Sequence, residues 1–143
     1  MVVAVIWVGM TSACERDHLR MRDETQAQFT ADRPKLEGLA DKVLYCKGLT
    51  SIRLKDWKRP PCLGGAVTRS EIVRDLRRLN LKAVHWAKDG SFVLLVNGES
   101  SSMVPGGTPW SHSGMIRHAE PPGPEWSGAL TPPPHHWFYT QND

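Results

Sequence analysis

Three cysteines, six histidines and six tryptophans are the residues of this 143-residue chain whose types could carry chemistry. A metal site needs several side chains converging on one ion. The common zinc frameworks show this as Cys-x-x-Cys or His-Glu-x-x-His spacing, and neither pattern occurs. His112 and His118 flank one expected strand and, with one of the late pair His135 and His136, make a weak metal alternative. The late pair are neighbours, so on a strand they point to opposite faces. Surface histidines without a metal or cofactor are the expectation. A hydrolase would draw on Ser111-His112-Ser113-Gly114 or Cys62-Leu63-Gly64-Gly65. Its nucleophile needs a base within hydrogen-bond reach and donors for an oxyanion. No Gly-x-Ser-x-Gly elbow is present, and Gly64-Gly65 and Gly106-Gly107 lack the lysine of a phosphate-binding loop. No motif names a reaction, so the expected protein binds rather than catalyses. A small envelope hydrolase or metal-binding protein stands as the alternative.

Charge is the second signal. The net charge is +3, yet residues 47–88 hold eleven basic and three acidic residues. A segment this basic steers acidic partners. Arg74, Arg77 and Arg78 fall on the side of an expected helix away from its apolar stripe, and so form a candidate partner-binding face. A solvated helix face is the bland reading of the same residues. The partner is expected to be an acidic protein surface or anionic envelope material such as phosphorylated lipid. Nucleic acid would use the same electrostatics, but no nucleic-acid motif is present. Trp110 and Trp126, beside the Pro/Gly-rich stretches, are the other candidate anchors, since tryptophan is favoured at interface centres. Pinning of loops is their alternative role.

These residues need elements to hold them. Composition is globular, at 40% hydrophobic and 23% charged, and the length suits one domain. Glu15 to Gln28 is dense in charge and reads as a tether or a polar helix. From Asp32, with Pro34 in a first turn, Leu36, Leu39, Ala40, Val43 and Leu44 recur at helical spacing. Leu49 to Trp57 reads as a strand and Arg59 to Gly65 as a loop. Thr68-Arg69-Ser70-Glu71 is a capping-box pattern opening a second helix on Ile72, Val73, Leu76 and Leu79. Leu81 to Ala87 and Phe92 to Val96 form a hairpin through Asp89-Gly90. The continuously apolar second strand is expected to be central and covered on both faces. Gly98 to Gly114 reads as a long loop, followed by strands at Met115 to Ala119 and His135 to Thr140. The expected fold is α+β: a mostly antiparallel four- to five-stranded sheet with two helices on one face.

The first ten residues are an apolar run that resembles the core of an export signal. Thr11-Ser12-Ala13-Cys14 follows, and the arrangement resembles the lipobox of bacterial lipoproteins. Thr11 stands where that family usually has leucine, and no basic residue precedes the apolar run. By this resemblance residues 1–13 are a signal, Cys14 receives a lipid, residues 14–28 are a tether and residues 29–143 are the domain. Glu15, following the cysteine, implies an outer-membrane destination facing the periplasm. Setting Cys14 aside leaves Cys46 and Cys62 as an even pair in an oxidising compartment. They are either a disulfide or two separate thiols. If Val2 to Val8 is instead a buried first strand, the chain is a cytoplasmic nucleic-acid-binding domain.

The mature chain also resembles small envelope lipoproteins of Gram-negative bacteria. The carriers are Pro34 to Leu39, Glu71 to Leu79, Lys88 to Phe92, Ser113-Gly114-Met115-Ile116 and His136-Trp137-Phe138-Tyr139. Several such proteins are thought to be immunity proteins that block a delivered toxin. The resemblance implies a protein partner, such as a delivered toxin, with membrane attachment through the lipid, no nucleic acid and no catalytic residues to transfer.

Overall fold

The computed structural model describes residues 13–100, 111–122, 128–132, 134 and 136–142. The signal-like run at residues 1–12 lies outside them, as do Trp110 and Trp126. Among these residues two helices, α1 (Ala13–Val43) and α2 (Arg69–Arg78), accompany five strands: β1 (Ser51–Arg53), β2 (Ala83–Trp86), β3 (Phe92–Ser100), β4 (Ser111–His118) and β5 (Trp137–Asn142). The strands lie in sequence order, every neighbouring pair antiparallel. This is the expected α+β fold. The apolar run Phe92–Val96 occupies the middle strand. Strand alternation then sorts its side chains: Val93 and Leu95 are fully buried, while Phe92 and Leu94, on the opposite face, are half-buried.

Register explains the core. Ile52, Val84, Leu95 and Met115 stand in one cross-strand row, and Trp86, Val93, Arg117 and Trp137 in the next row of the same face. Both helices cover that face. Phe29, Leu36, Leu39, Ala40 and Val43 of α1 and Ile72 and Leu76 of α2 join these strand residues in one buried cluster. Trp137 lies against Phe29, with ring centroids 5.2 Å apart, and its Nε1 donates to Glu37 Oε1.

Helix α1 starts well before the expected Asp32, and Pro34 sits inside it. A proline there removes one N–H and crowds the carbonyl four residues back, that of Thr30. Both residues are on the exposed side, where a missing helix hydrogen bond costs less than in the core. Thr25 is buried, and Gln28 Nε2 donates to the Leu79 carbonyl at 2.5 Å. Packing thus begins inside the stretch read as a tether. An apolar stripe is not visible there because the inward positions are Thr25 and Gln28, which the sheet engages by hydrogen bonds.

Two further boundaries shift. The strand expected over Leu49 to Trp57 is regular only at Ser51–Arg53. The loop expected from Gly98 to Gly114 instead begins and ends in strand, since β3 continues to Ser100 and β4 starts at Ser111. The Ser/Gly composition there has a packing cause. A bulge between Val96 and Gly98 turns Asn97 toward α1, where its Nδ2 donates to Thr25 Oγ1 at 2.9 Å and Ser113 Oγ donates to its Oδ1 at 3.1 Å. A Cβ on Gly114 would stand 2.0 Å from the Leu95 carbonyl oxygen, so only glycine lets the two strands close.

Candidate functional site: an arginine-lined groove

Helix α2 is cut to length by its own sequence. Thr68, in extended conformation, accepts from the Glu71 N–H at 3.2 Å. The helix ends at Leu79, after which Asn80 takes a positive φ of 56°. Ile72 and Leu76 are buried against the sheet, which leaves Arg74, Arg77 and Arg78 exposed on the other side. Arg77 and Arg78 also occupy the last turn, where positive charge offsets the helix dipole.

Three more arginines meet them. Arg53 ends β1, Arg59 lies in the following loop and Arg69 opens α2. All six line one groove of about 610 Å³, with Leu54, Pro61 and Val73 as its apolar parts and the Thr68 and Ser70 hydroxyls at one end. Among the described residues no carboxylate lines it. Of the two acids in the helix, Glu71 and Asp75, Asp75 is paired with Lys42 of α1 at 2.6 Å. Arg69 Nη1 donates to the Pro60 carbonyl at 3.5 Å, joining helix and loop. Among the described residues, Arg59, Arg74, Arg77 and Arg78 enter no ion pair. At physiological salt, charges within roughly 8 Å still feel one another. Arginines lining one groove concentrate positive potential there, which favours entry of an anion. The arginine fork presents paired donors suited to carboxylate or phosphate oxygens.

A disulfide fixes the far wall. Cys46, just beyond α1, is bonded to Cys62, with Cα atoms 5.0 Å apart. The closed segment carries Arg53, Arg59 and Pro61 to the groove. Its base is zipped by Lys47 N–H to the Gly64 carbonyl at 3.0 Å and Leu63 N–H to the Lys47 carbonyl at 2.7 Å. Gly65, at φ +98°, passes so close to the Tyr45 carbonyl that a Cβ would stand 1.7 Å from its oxygen.

The other residues singled out from the sequence are placed as follows. Cys14 lies in the first turn of α1. His112 and His118 stand at opposite ends of β4, six residues or about 20 Å apart, too far to share an ion. Among the described residues no three His, Cys, Asp or Glu side chains gather as metal ligands. His118 instead neighbours His136, whose Nδ1 lies 2.9 Å from the His118 carbonyl oxygen. Burial, and secondarily the charge of His136, holds the His118 pKa below its ordinary value. Cys62 cannot serve as a nucleophile while its sulfur is in the disulfide. A second, polar hollow of about 470 Å³ is lined by Thr25, Gln28, Asn97 and Ser113 among others. Those four side chains are spent on one another and on the Leu79 carbonyl.

Sequence reasoning reached Arg74, Arg77 and Arg78 through helical periodicity. It missed Arg53, Arg59 and Arg69 as members of the same site. Their signal was the basic count of residues 47–88, but their convergence depends on the disulfide and on β1 lying under α2. Among the described residues no helix is long and apolar enough to cross a membrane. No protein-family model, curated protein or solved structure matches the chain, so function must be argued from this site.

Proposed function

We propose that this is a non-enzymatic binding domain of the bacterial cell envelope, tethered through Cys14, that engages an acidic face of a partner protein through the arginine-lined groove. The observation that carries it is the convergence of six arginines on one concave surface, with no carboxylate among the described residues that line it. A groove with apolar parts at Leu54, Pro61 and Val73 suits a polypeptide, which offers carboxylates and hydrocarbon together. Capping an acidic face of an envelope-acting toxin is the partner relation this reading prefers, in keeping with the resemblance to immunity lipoproteins.

Binding of a fluorescein-labelled decaglutamate, followed by anisotropy at low and physiological salt, tests the groove. Arg74→Glu/Arg77→Glu is expected to weaken binding at least tenfold without changing the far-ultraviolet circular dichroism. Equal binding by the variant, or tighter binding of a single-stranded oligonucleotide of equal charge, overturns the acidic-protein reading. The tether is tested by palmitate labelling in cells: wild type is expected to label and Cys14→Ser not to, and an unlabelled wild-type band removes the lipid anchor.

A further inference from the structure

Among the described residues, the large hydrophobic side chains that stand out in solvent are Tyr45, Trp57 and Leu63, 58%, 84% and 77% exposed. All three belong to the disulfide-closed segment or its two shoulders. Tyr45 precedes Cys46 and Leu63 follows Cys62, so the bridge itself sets them at the base of the same loop. Leu63 lies over Gly48, where a Cβ would stand 2.6 Å from its Cδ1. Gly48 and Trp57 in turn line one hollow. Leu63 and Trp57 thus share one side of the closed segment through Gly48, with Tyr45 at its base, and Arg74, Arg77 and Arg78 do not line that hollow.

The charges around the patch are mostly positive, with Asp56 the one acid beside Trp57 in that hollow among the described residues. Residues 46–62 hold five basic residues and only Asp56 as an acid. Lys47, Lys55 and Lys58 of this segment are exposed, and Lys58 Nζ stands 5.1 Å from the Trp57 ring centroid. This mixture decides what covers it. Protein interfaces deplete lysine and gather their apolar residues into a core ringed by polar ones. Here lysine is interleaved with single tryptophan, tyrosine and leucine side chains. That is the composition favoured at an anionic bilayer surface: aromatic rings sit at the headgroup level and lysines are drawn by the negative surface potential.

We infer that the Tyr45–Trp57–Leu63 patch is a docking surface for anionic phospholipid bilayers, used by the folded domain independently of any acyl chain on Cys14. Trp57 and Leu63 enter the headgroup region, and Lys47, Lys55 and Lys58 face the lipid phosphates. The disulfide presents these groups ready-made, so binding does not have to order the loop. Because α1 spans 31 residues, about 46 Å at 1.5 Å per residue, Cys14 and the patch lie near its opposite ends. Simultaneous use of both sets the helix along the membrane.

The test uses the full chain carrying Cys14→Ser, so that every variant shares the same N-terminal apolar run and none is acylated. Co-sedimentation is measured with vesicles of phosphatidylglycerol and phosphatidylcholine in equal parts and with phosphatidylcholine alone. The parent protein is expected to partition at least tenfold more strongly to the anionic vesicles. Trp57→Ala/Leu63→Ala and Lys55→Glu/Lys58→Glu are each expected to reduce this at least tenfold, whereas Arg74→Glu/Arg77→Glu changes it less than threefold. Bromine-labelled lipid should quench the parent more than Trp57→Phe, which places that ring in the headgroup region. The decaglutamate affinity should be unchanged by Trp57→Ala/Leu63→Ala, so failure here and failure of the groove reading are separable. Anionic-vesicle binding that survives the Trp57 and Leu63 substitutions overturns the inference. So does Trp57-dependent dimerisation in sedimentation velocity without vesicle binding, which would assign the patch to a second copy.

Discussion

Reduction of the Cys46–Cys62 bond tests stability and site architecture together. The bridge spans a sequence separation of 16. Releasing a loop of that size returns chain entropy to the unfolded state worth about 3 kcal/mol. Cys46 is only 2% exposed, and its thiol would remain packed against the end of α1, so little native burial is lost. With a urea dependence of about 1–3 kcal/mol per molar, the unfolding midpoint should fall by about 1–3 M. The assay is urea denaturation followed by circular dichroism, with and without a phosphine reductant, and thiol release confirmed by mass. A second consequence follows from placement. Arg59 and Pro61 lie within the loop while Arg74, Arg77 and Arg78 stand on α2, so reduction should weaken decaglutamate binding even well below the unfolding transition. A midpoint shift under about 0.3 M after complete reduction would refute the loop-entropy argument. Unchanged ligand affinity would show that the bridge does not hold the groove together.

The core and the polar network make further claims. Trp137→Ala removes a fully buried side chain packed at a tilt against Phe29 and should cost about 3–5 kcal/mol in urea unfolding, a large share of the 5–15 kcal/mol usual for a domain. Asn97→Ala strips partners from the buried Thr25 and Ser113 hydroxyls and should cost about 1–3 kcal/mol, while leaving decaglutamate binding intact. Gly114→Ala forces a methyl onto the Leu95 carbonyl and should destabilise by about 2 kcal/mol or more, as overpacking does, which thermal melts will show. Because the His118 pKa is lowered in the folded protein, the unfolded chain binds that proton more tightly. Its contribution is fully present above the unfolded value of about 6.5 and is lost as pH falls through the folded value. His118→Asn should flatten the acid limb of a stability–pH profile.

Much of the scaffold was legible because it follows from local rules. The Thr68 cap, the Ile72–Leu76 stripe and the Asp89-Gly90 turn each depend on residues within a few positions of one another. In the turn, Gly90 has φ 79° and the Ser91 N–H donates to Asp89 Oδ1. The α+β class followed from their order. What escaped was set by tertiary contact. Residues 13–31 of α1 carry no apolar stripe, because Thr25 and Gln28 meet the sheet through hydrogen bonds rather than through hydrocarbon. The ends of β3 and β4 looked like loop because Gly98, Ser113 and Gly114 are there to admit a bulge and a close strand approach. The groove was half legible. Arg74, Arg77 and Arg78 share one helix, but Arg53 and Arg59 reach them only after a disulfide folds their loop back, and cysteine counting gives a pairing without its geometry.

The unbroken run of α1 from Ala13 to the buried Thr25 has a mechanical consequence. Eleven helical steps set Cys14, the residue proposed to be acylated, about 16 Å along the axis from Thr25. A flexible leash of that length would let the body tumble freely. A helical strut continuous with a core helix transmits orientation as well as distance, so whatever grips its start also aims the arginine face and restricts the directions from which a partner can approach.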